Sequence, residues 1–293
     1  MFDFKSLYEA KMIKEAVDAL AANPQARIIA GGTDIVLGMR EGLFAGRDFV
    51  SIHNVEELKG VFLDEENAIH IRSGTAFRDI IENQTIQERI PYFAHAAETI
   101  GSPQIRAVAT VGGNISNGFT TADSPPVLFA LNAQVRITGL NGSHSMPIEK
   151  YYLGPERMNL KAGELLAEMI IPQKEYAGYG GMYMKYAARE AMDIAVLGCA
   201  VICRASRANK EIEDIRISLG AAAPVPIRIY GAEKKLKGTR IAPELFEKAA
   251  EYVRAEISPI TDRRASKEFR LHVAGVLAAR CLKQALLAQG ADL

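Results

Sequence analysis

Ala30-Gly31-Gly32-Thr33-Asp34 follows a short β-prone run, Arg27-Ile28-Ile29, and Thr110-Val111-Gly112-Gly113-Asn114 repeats its character later in the chain. Each segment strips two consecutive positions of their side chains and then supplies a small polar residue. Paired glycines let the backbone turn with φ > 0 and approach a ligand closely. Successive N–H groups in such a turn form an anion-binding concavity. Two such turns suit one extended diphosphate gripped from both sides, so together they point to a bound dinucleotide. Neither segment reads G-x-G-x-x-G, and the chain has no G-x-x-x-x-G-K-S/T, which argues against a P-loop NTPase and the usual dinucleotide folds. Either Gly-Gly alone fits a hairpin or a tight connection equally well; the pair, with the residues that follow it, carries the argument.

At 293 residues the chain has room for one large domain or two smaller ones. Its 35 basic residues balance 35 acidic ones, so the electrostatic footprint of a nucleic-acid binder is missing. No apolar stretch reaches transmembrane length. The opening Met1-Phe2-Asp3-Phe4-Lys5 lacks the charged and apolar regions of a signal peptide, and a cytoplasmic protein is expected. The three cysteines, Cys199, Cys203 and Cys281, are too few for an all-cysteine iron–sulfur cluster and too sparse for a disulfide framework. Cys199 and Cys203 fall at even spacing in an apolar run, one face of a strand, and read as small buried hydrophobes.

Hydrophobic periodicity predicts a helix over residues 11–22, ended by Asn23-Pro24. Strands are expected over 27–30, 49–52 and 68–72, and helices over 34–42, 77–82 and 92–100. Asp123-Ser124-Pro125-Pro126 resembles a helix start, with prolines in the first turn. A strand over 134–138 leads to the hairpin signal Asn141-Gly142. Beyond Pro172 the pattern changes to three strands (178–188, 195–205, 212–221) and then two helices (243–256, 266–288). The chain therefore divides near residues 173–180 into a first domain over 1–175 and an α+β unit over 176–293.

No hydrolytic constellation is present. His53, His70, His95, His144 and His272 are scattered without metal-ligand spacing, and no metal site is expected. Asp123 has two readings, as the N-cap of the Pro-Pro helix or as the acceptor of a ribose hydroxyl. Lys185 likewise reads either as a solvated strand lysine or as an ammonium placed against the cofactor.

The stretches A-G-G-T-D-I-V-L-G-M-R (30–40), T-V-G-G-N-x8-D-S-P-P-x-L-x-A-L (110–131) and K-Y-A-A-R-E-A-M-D-I-A (185–195) resemble, in order and spacing, the flavin subunit of molybdenum hydroxylases. The resemblance covers essentially the whole chain and runs, within the family, to the FAD-binding subunits of bacterial xanthine dehydrogenases. It implies an α+β architecture. An FAD-binding domain of the vanillyl-alcohol-oxidase (PCMH) type, made of two α/β subdomains, precedes a smaller α+β domain with a three-stranded antiparallel sheet and helices. By the same resemblance Ile28, Ile29, Ala30, Gly31, Gly32, Thr33, Asp34 and Ile35 wrap the FAD diphosphate. Ala109, Thr110, Val111, Gly112, Gly113 and Asn114 hold it from the other side. Asp123 binds a ribose, Leu166 and Lys185 line the flavin or adenine region, and Ile100 is a further contact. Asp193 and Ile194 fall in a turn near the isoalloxazine, on the approach of the electron acceptor.

The implied activity is electron relay: electrons arrive from a 2Fe-2S subunit, reach FAD and leave to NAD, while a separate large subunit carries the molybdopterin. Apart from the cofactor itself, no catalytic group is expected on this chain. Three alternatives stay open: a carbon monoxide, nicotinate or aldehyde dehydrogenase subunit, a stand-alone flavoenzyme of the same fold, or a non-catalytic assembly subunit.

Overall fold

A computed structural model describes residues 3–206, 208 and 210–291. Met1 and Phe2, which open the stretch read as lacking a signal peptide, lie outside the described residues. Three parallel strands come first in sequence: β1 (Ser6–Glu9), β2 (Arg27–Ile29) and β3 (Asp48–Ser51), in spatial order β1-β3-β2. Helix α1 (Ile13–Ala22) connects the first two and buries Ala16, Val17 and Leu20. The short α2 (Ile35–Arg40) connects the next pair. This is the first α/β subdomain.

The second subdomain is a five-stranded sheet. Its strands are β4 (Val61–Leu63), β5 (Ile69–Arg72), β6 (Gln134–Gly139), β7 (Gly142–Pro147) and, past a small ribbon of β8 (Tyr152–Gly154) and β9 (Arg157–Met158), β10 (Leu165–Ile171). Spatial order is β4-β5-β10-β6-β7, antiparallel throughout. Between β5 and β6 lie α3 (Phe77–Glu82), α4 (Gln84–Arg89), α5 (Pro91–Glu98), α6 (Pro103–Arg106), α7 (Val111–Ser116) and α8 (Ser124–Ala130). A short α9 (Ile148–Tyr151) follows β7. Ile69, Ile71, Val135, Ile137, Met169 and Ile171 form the sheet's inner face of one large core shared with these helices.

The third layer is an antiparallel sheet of β11 (Gly180–Tyr186), β12 (Leu197–Ser206) and β13 (Glu211–Gly220). A short fourth strand that the sequence reading did not anticipate, β14 (Ile227–Arg228), extends it. Helices α10 (Tyr230–Leu236), α11 (Pro243–Glu256) and α12 (Lys267–Leu287) follow. Pro243 occupies the first turn of α11, and the Ser266 hydroxyl caps α12 by accepting from the Phe269 amide.

From Leu197 to Cys203 strand β12 is apolar at every position because that stretch is buried on both faces. Leu197, Cys199, Val201 and Cys203 face α11 and α12. Ala200 and Ile202 face the first domain's core. The two cysteines on the helix side are buried free thiols. On the opposite face small residues let the layers approach: a Cβ at Gly181 would stand 2.5 Å from the Tyr92 ring, and one at Gly220 would stand 3.0 Å from the Thr120 carbonyl. Two buried arginines tie the layers together. Arg216 pairs with Glu175 at 2.9 Å, and Arg228, paired with Glu233, donates to the Phe129 carbonyl at 3.0 Å. The buried guanidinium groups are thus satisfied partly within their own layer and partly across the seam.

Candidate flavin site

Ile28 and Ile29 end β2, and the chain then leaves the sheet through Ala30–Asp34 before Ile35 opens α2. Gly32 takes the left-handed conformation, φ +76°, which an L side chain adopts at a cost of about 1–2 kcal/mol. Gly31 has ordinary φ and a different reason to be glycine: a Cβ there would sit 1.9 Å from the Val108 carbonyl oxygen. The first glycine segment is thus pressed against the residues just ahead of the second. A hydrogen bond from Asn117 Nδ2 to Asp34 Oδ2 (2.9 Å) closes the same contact on the other side of α7. The N–H groups of Ala30, Gly31, Gly32, Thr33, Asp34 and Ile35 find no acceptor among the described residues. Six successive donors with nothing internal to bind are the arrangement an acceptor-only oxyanion requires.

The second glycine segment differs from its expectation. It is not a turn with φ > 0 but the first turn of α7, with Thr110 as its N-cap, and neither Gly112 nor Gly113 has positive φ. Its amides are already used. Val111 donates to the Thr75 carbonyl, Gly112 to the Ser73 carbonyl, Gly113 to Thr110 Oγ1 and Asn114 to the Thr110 carbonyl. Gly112 is required by packing, since a Cβ would lie 2.5 Å from that of Ser73. Gly113 is exposed and meets only Thr110 Oγ1, at 3.0 Å from an added Cβ. Ala109 accepts from the Phe77 amide, and Asn114 Oδ1 accepts from Ser124 Oγ at 2.7 Å. This segment therefore supplies a smooth, glycine-faced wall rather than a row of donors.

Asp123 and Lys185, sixty-two positions apart in sequence, meet. Asp123 precedes α8 without capping it through its side chain. Lys185 is not solvated: both side chains are about nine-tenths buried, with Nζ 2.9 Å from Asp123 Oδ2. Lys185 also donates to the Thr99 carbonyl (3.0 Å), beside buried Ile100 at the end of α5. The Tyr183 hydroxyl donates to the other carboxylate oxygen, Oδ1, at 2.6 Å. Burial raises the Asp123 carboxyl above its ordinary range, opposed by the Lys185 charge and the two hydrogen bonds. Sequence reasoning missed Tyr183, Thr99 and Ser124. Tyr183 had a signal, because positions i and i+2 of a strand share a face.

Leu166 lies within β10, buried in the main core opposite Ile137. Its neighbour Ala167 accepts from the Ser73 amide, which ties β10 to the turn that seats Gly112. Asp193 and Ile194 sit in an exposed bend and share no hydrogen bond with either glycine segment. Asp193 accepts from the amides of Arg189 and Ile194, both at 2.9 Å. Burial acts to raise its carboxyl, but those amides and the Arg189 guanidinium outweigh it and hold it below the usual range. Ile194 and Met192 project, each about half exposed or more.

Free loop amides, a bare glycine wall and a buried Asp–Lys pair at the seam fit a dinucleotide whose diphosphate rests on residues 30–35. Residues 2–174 match the family described as the FAD binding domain in molybdopterin dehydrogenase, and residues 182–285 match the CO dehydrogenase flavoprotein C-terminal domain. The chain belongs to the family of FAD-binding subunits of molybdenum hydroxylases. It is 37% identical to the xanthine dehydrogenase FAD-binding subunit of Escherichia coli O157:H7 across 100% of both chains. It is 30% identical to the carbon monoxide dehydrogenase medium chain of Hydrogenophaga pseudoflava across 94% of each. The structure of carbon monoxide dehydrogenase from that organism, in a form lacking the Mo-pyranopterin moiety, superimposes with a TM-score of 0.92 at 28% identity, over 98% of this chain and 99% of that one. Among the described residues, no helix is long and apolar enough to cross a membrane.

Proposed function

We propose that this chain is the FAD-holding electron-transfer subunit of a cytoplasmic, xanthine dehydrogenase-like complex, working with a large molybdenum-cofactor subunit and a small 2Fe-2S subunit and using NAD as acceptor. The observation that carries the reading is the row of unsatisfied amides at residues 30–35 held against the Val108 carbonyl by Gly31. The FAD-binding domain is residues 1–175 and the flavoprotein C-terminal domain residues 176–293. When bound, FAD exchanges single electrons with the iron–sulfur partner and delivers a hydride to NAD.

The chain's own residues bind and orient. Ile28 to Ile35 cradle the diphosphate. Ala109 to Asn114 form the opposing wall, where an exposed Gly113 lets the ligand lie close to the backbone. Asp123, each of whose oxygens already accepts one hydrogen bond, keeps lone pairs for a ribose hydroxyl. Lys185 places a buried positive charge at the seam, where lower dielectric strengthens its field. Ile100 and Leu166 complete the apolar lining. The bend holding Asp193 and Ile194 stands at the acceptor's approach.

The test begins with the visible spectrum of the purified chain and chromatography of the released cofactor. About one FAD per chain, the stoichiometry of a single preorganised diphosphate site, supports the reading. A folded chain that takes up no flavin, alone or with its partner subunits, refutes it in favour of a non-catalytic assembly role. Turnover by the complete complex with xanthine and NAD, set against carbon monoxide, nicotinate and aldehydes, then decides the substrate.

A further inference from the structure

Tyr183 is fully buried and stands outside every expectation drawn from the motifs. Its hydroxyl donates to Asp123 Oδ1 while Lys185, two positions on, holds Oδ2, so one strand grips both oxygens of a single carboxylate. Room for the phenol is made across the sheet. Gly198 lies opposite Lys185 in register, and a Cβ there would stand 2.6 Å from the Tyr183 oxygen. Residues from α8, β11 and β12 are therefore fitted around one buried acid.

The ionisable groups that act on Asp123 are Lys185 and Tyr183, and Tyr183 is in turn within electrostatic reach of Cys199 on β12 and Cys281 on α12 across the sheet. Burial, and next the Asp123 charge, push the phenol well above its ordinary range. It is thus a permanent donor. A buried carboxylate that loses one of two donors takes up a proton more readily.

We propose that Tyr183 is a positioning residue of the flavin site: it fixes the Asp123 carboxylate in place and keeps it charged opposite Lys185, so that the pair presents one arrangement to the bound dinucleotide. The inference rests on the reading of the site as an FAD site. Tyr183→Phe removes only the hydroxyl. Its effect is followed through the dissociation constant of FAD, read by flavin fluorescence on the full chain, alone or in its complex, as a function of pH.

The loss of a hydrogen bond to a charged group predicts about tenfold weaker FAD at neutral pH. Release of FAD on acidification begins at a higher pH than in the wild type. Asp123→Asn also weakens FAD but abolishes that acid-side step, and adding Tyr183→Phe to it costs nothing more. Gly198→Ala drives a methyl group at the phenol and shifts the profile in the same direction, which keeps the test open if Tyr183→Phe fails to fold by circular dichroism. A wild-type affinity and profile in Tyr183→Phe, with Asp123→Asn weakened, overturns the positioning role and leaves the site reading intact. Wild-type binding by Asp123→Asn overturns the site reading and the role of Tyr183 together.

Discussion

The two glycine segments look alike in sequence and are used in opposite ways. Residues 30–35 keep their amides free and bend through one left-handed glycine. Residues 110–114 commit the amides of Val111 through Asn114 to the Ser73–Thr75 turn and to the Thr110 cap, and use Gly112 to fit a helix against the core. A Gly-Gly pair therefore specifies closeness, and only its surroundings decide whether the neighbour is a ligand or the protein itself. This contrast divides ligand affinity from fold stability between two segments that one structure brings together.

Gly112→Val tests the contrast most severely. Its Cβ meets the Ser73 side chain and carbonyl within 2.6 Å, so overpacking costs the fold about 3 kcal/mol, read as a lower denaturant midpoint with or without FAD. Gly31→Ala acts on the other side. The loop must part from the Val108 backbone, which lowers the apoprotein's denaturant midpoint. FAD affinity falls in addition by roughly tenfold to a hundredfold, the binding equivalent of ~1–3 kcal/mol, whereas Gly112→Val leaves the affinity of the folded fraction near wild type. Equal losses of FAD affinity in the two variants would break the comparison.

The difference was only half legible in the sequence. Gly32 declares itself locally, because a turn after a strand needs φ > 0. Gly112 does not. Glycine is a poor helix former, so a Gly-Gly reads as a loop until Ser73, far away in the chain, is seen pressed against it. The same non-locality hid the Asp123–Lys185 pair, since each residue alone has a bland explanation. Long amphipathic helices were read almost to the residue: α11 matches its expected span, and α12 lies one residue inside each end. The seven-residue α10 is too short to show a period. Central strand β10, Leu165–Ile171, was not anticipated, because its partners β5 and β6 are distant in sequence and its apolar run lacks the alternation of a half-buried strand.

Gly32→Ala sharpens the contrast at a smaller scale. No atom is closer than 3.3 Å to the added Cβ, so the cost is conformational, about 1–2 kcal/mol for an alanine at φ +76°. Part of it is relieved when the loop relaxes in the apoprotein. The penalty then falls on FAD binding, up to about a tenfold loss, with little change in the apoprotein's midpoint.

Thr110→Ala carries the smallest expected effect and the cleanest sign. The Thr110 hydroxyl accepts from the Gly113 amide at 3.1 Å, and removing an N-cap oxygen costs ~1 kcal/mol of stability. The freed Gly113 N–H then points from an exposed residue with nothing inside the protein to bind. If the second segment is only a wall, stability drops by that amount and FAD affinity stays within about twofold, below the resolution of a single hydrogen bond. Should the new donor tighten FAD instead, the diphosphate lies within reach of α7, and the second segment is an anion site that its own threonine keeps closed. A fall in affinity as large as that of Gly31→Ala would mean that the threonine hydroxyl itself touches the cofactor, and the division between a donor loop and a bare wall would be wrong.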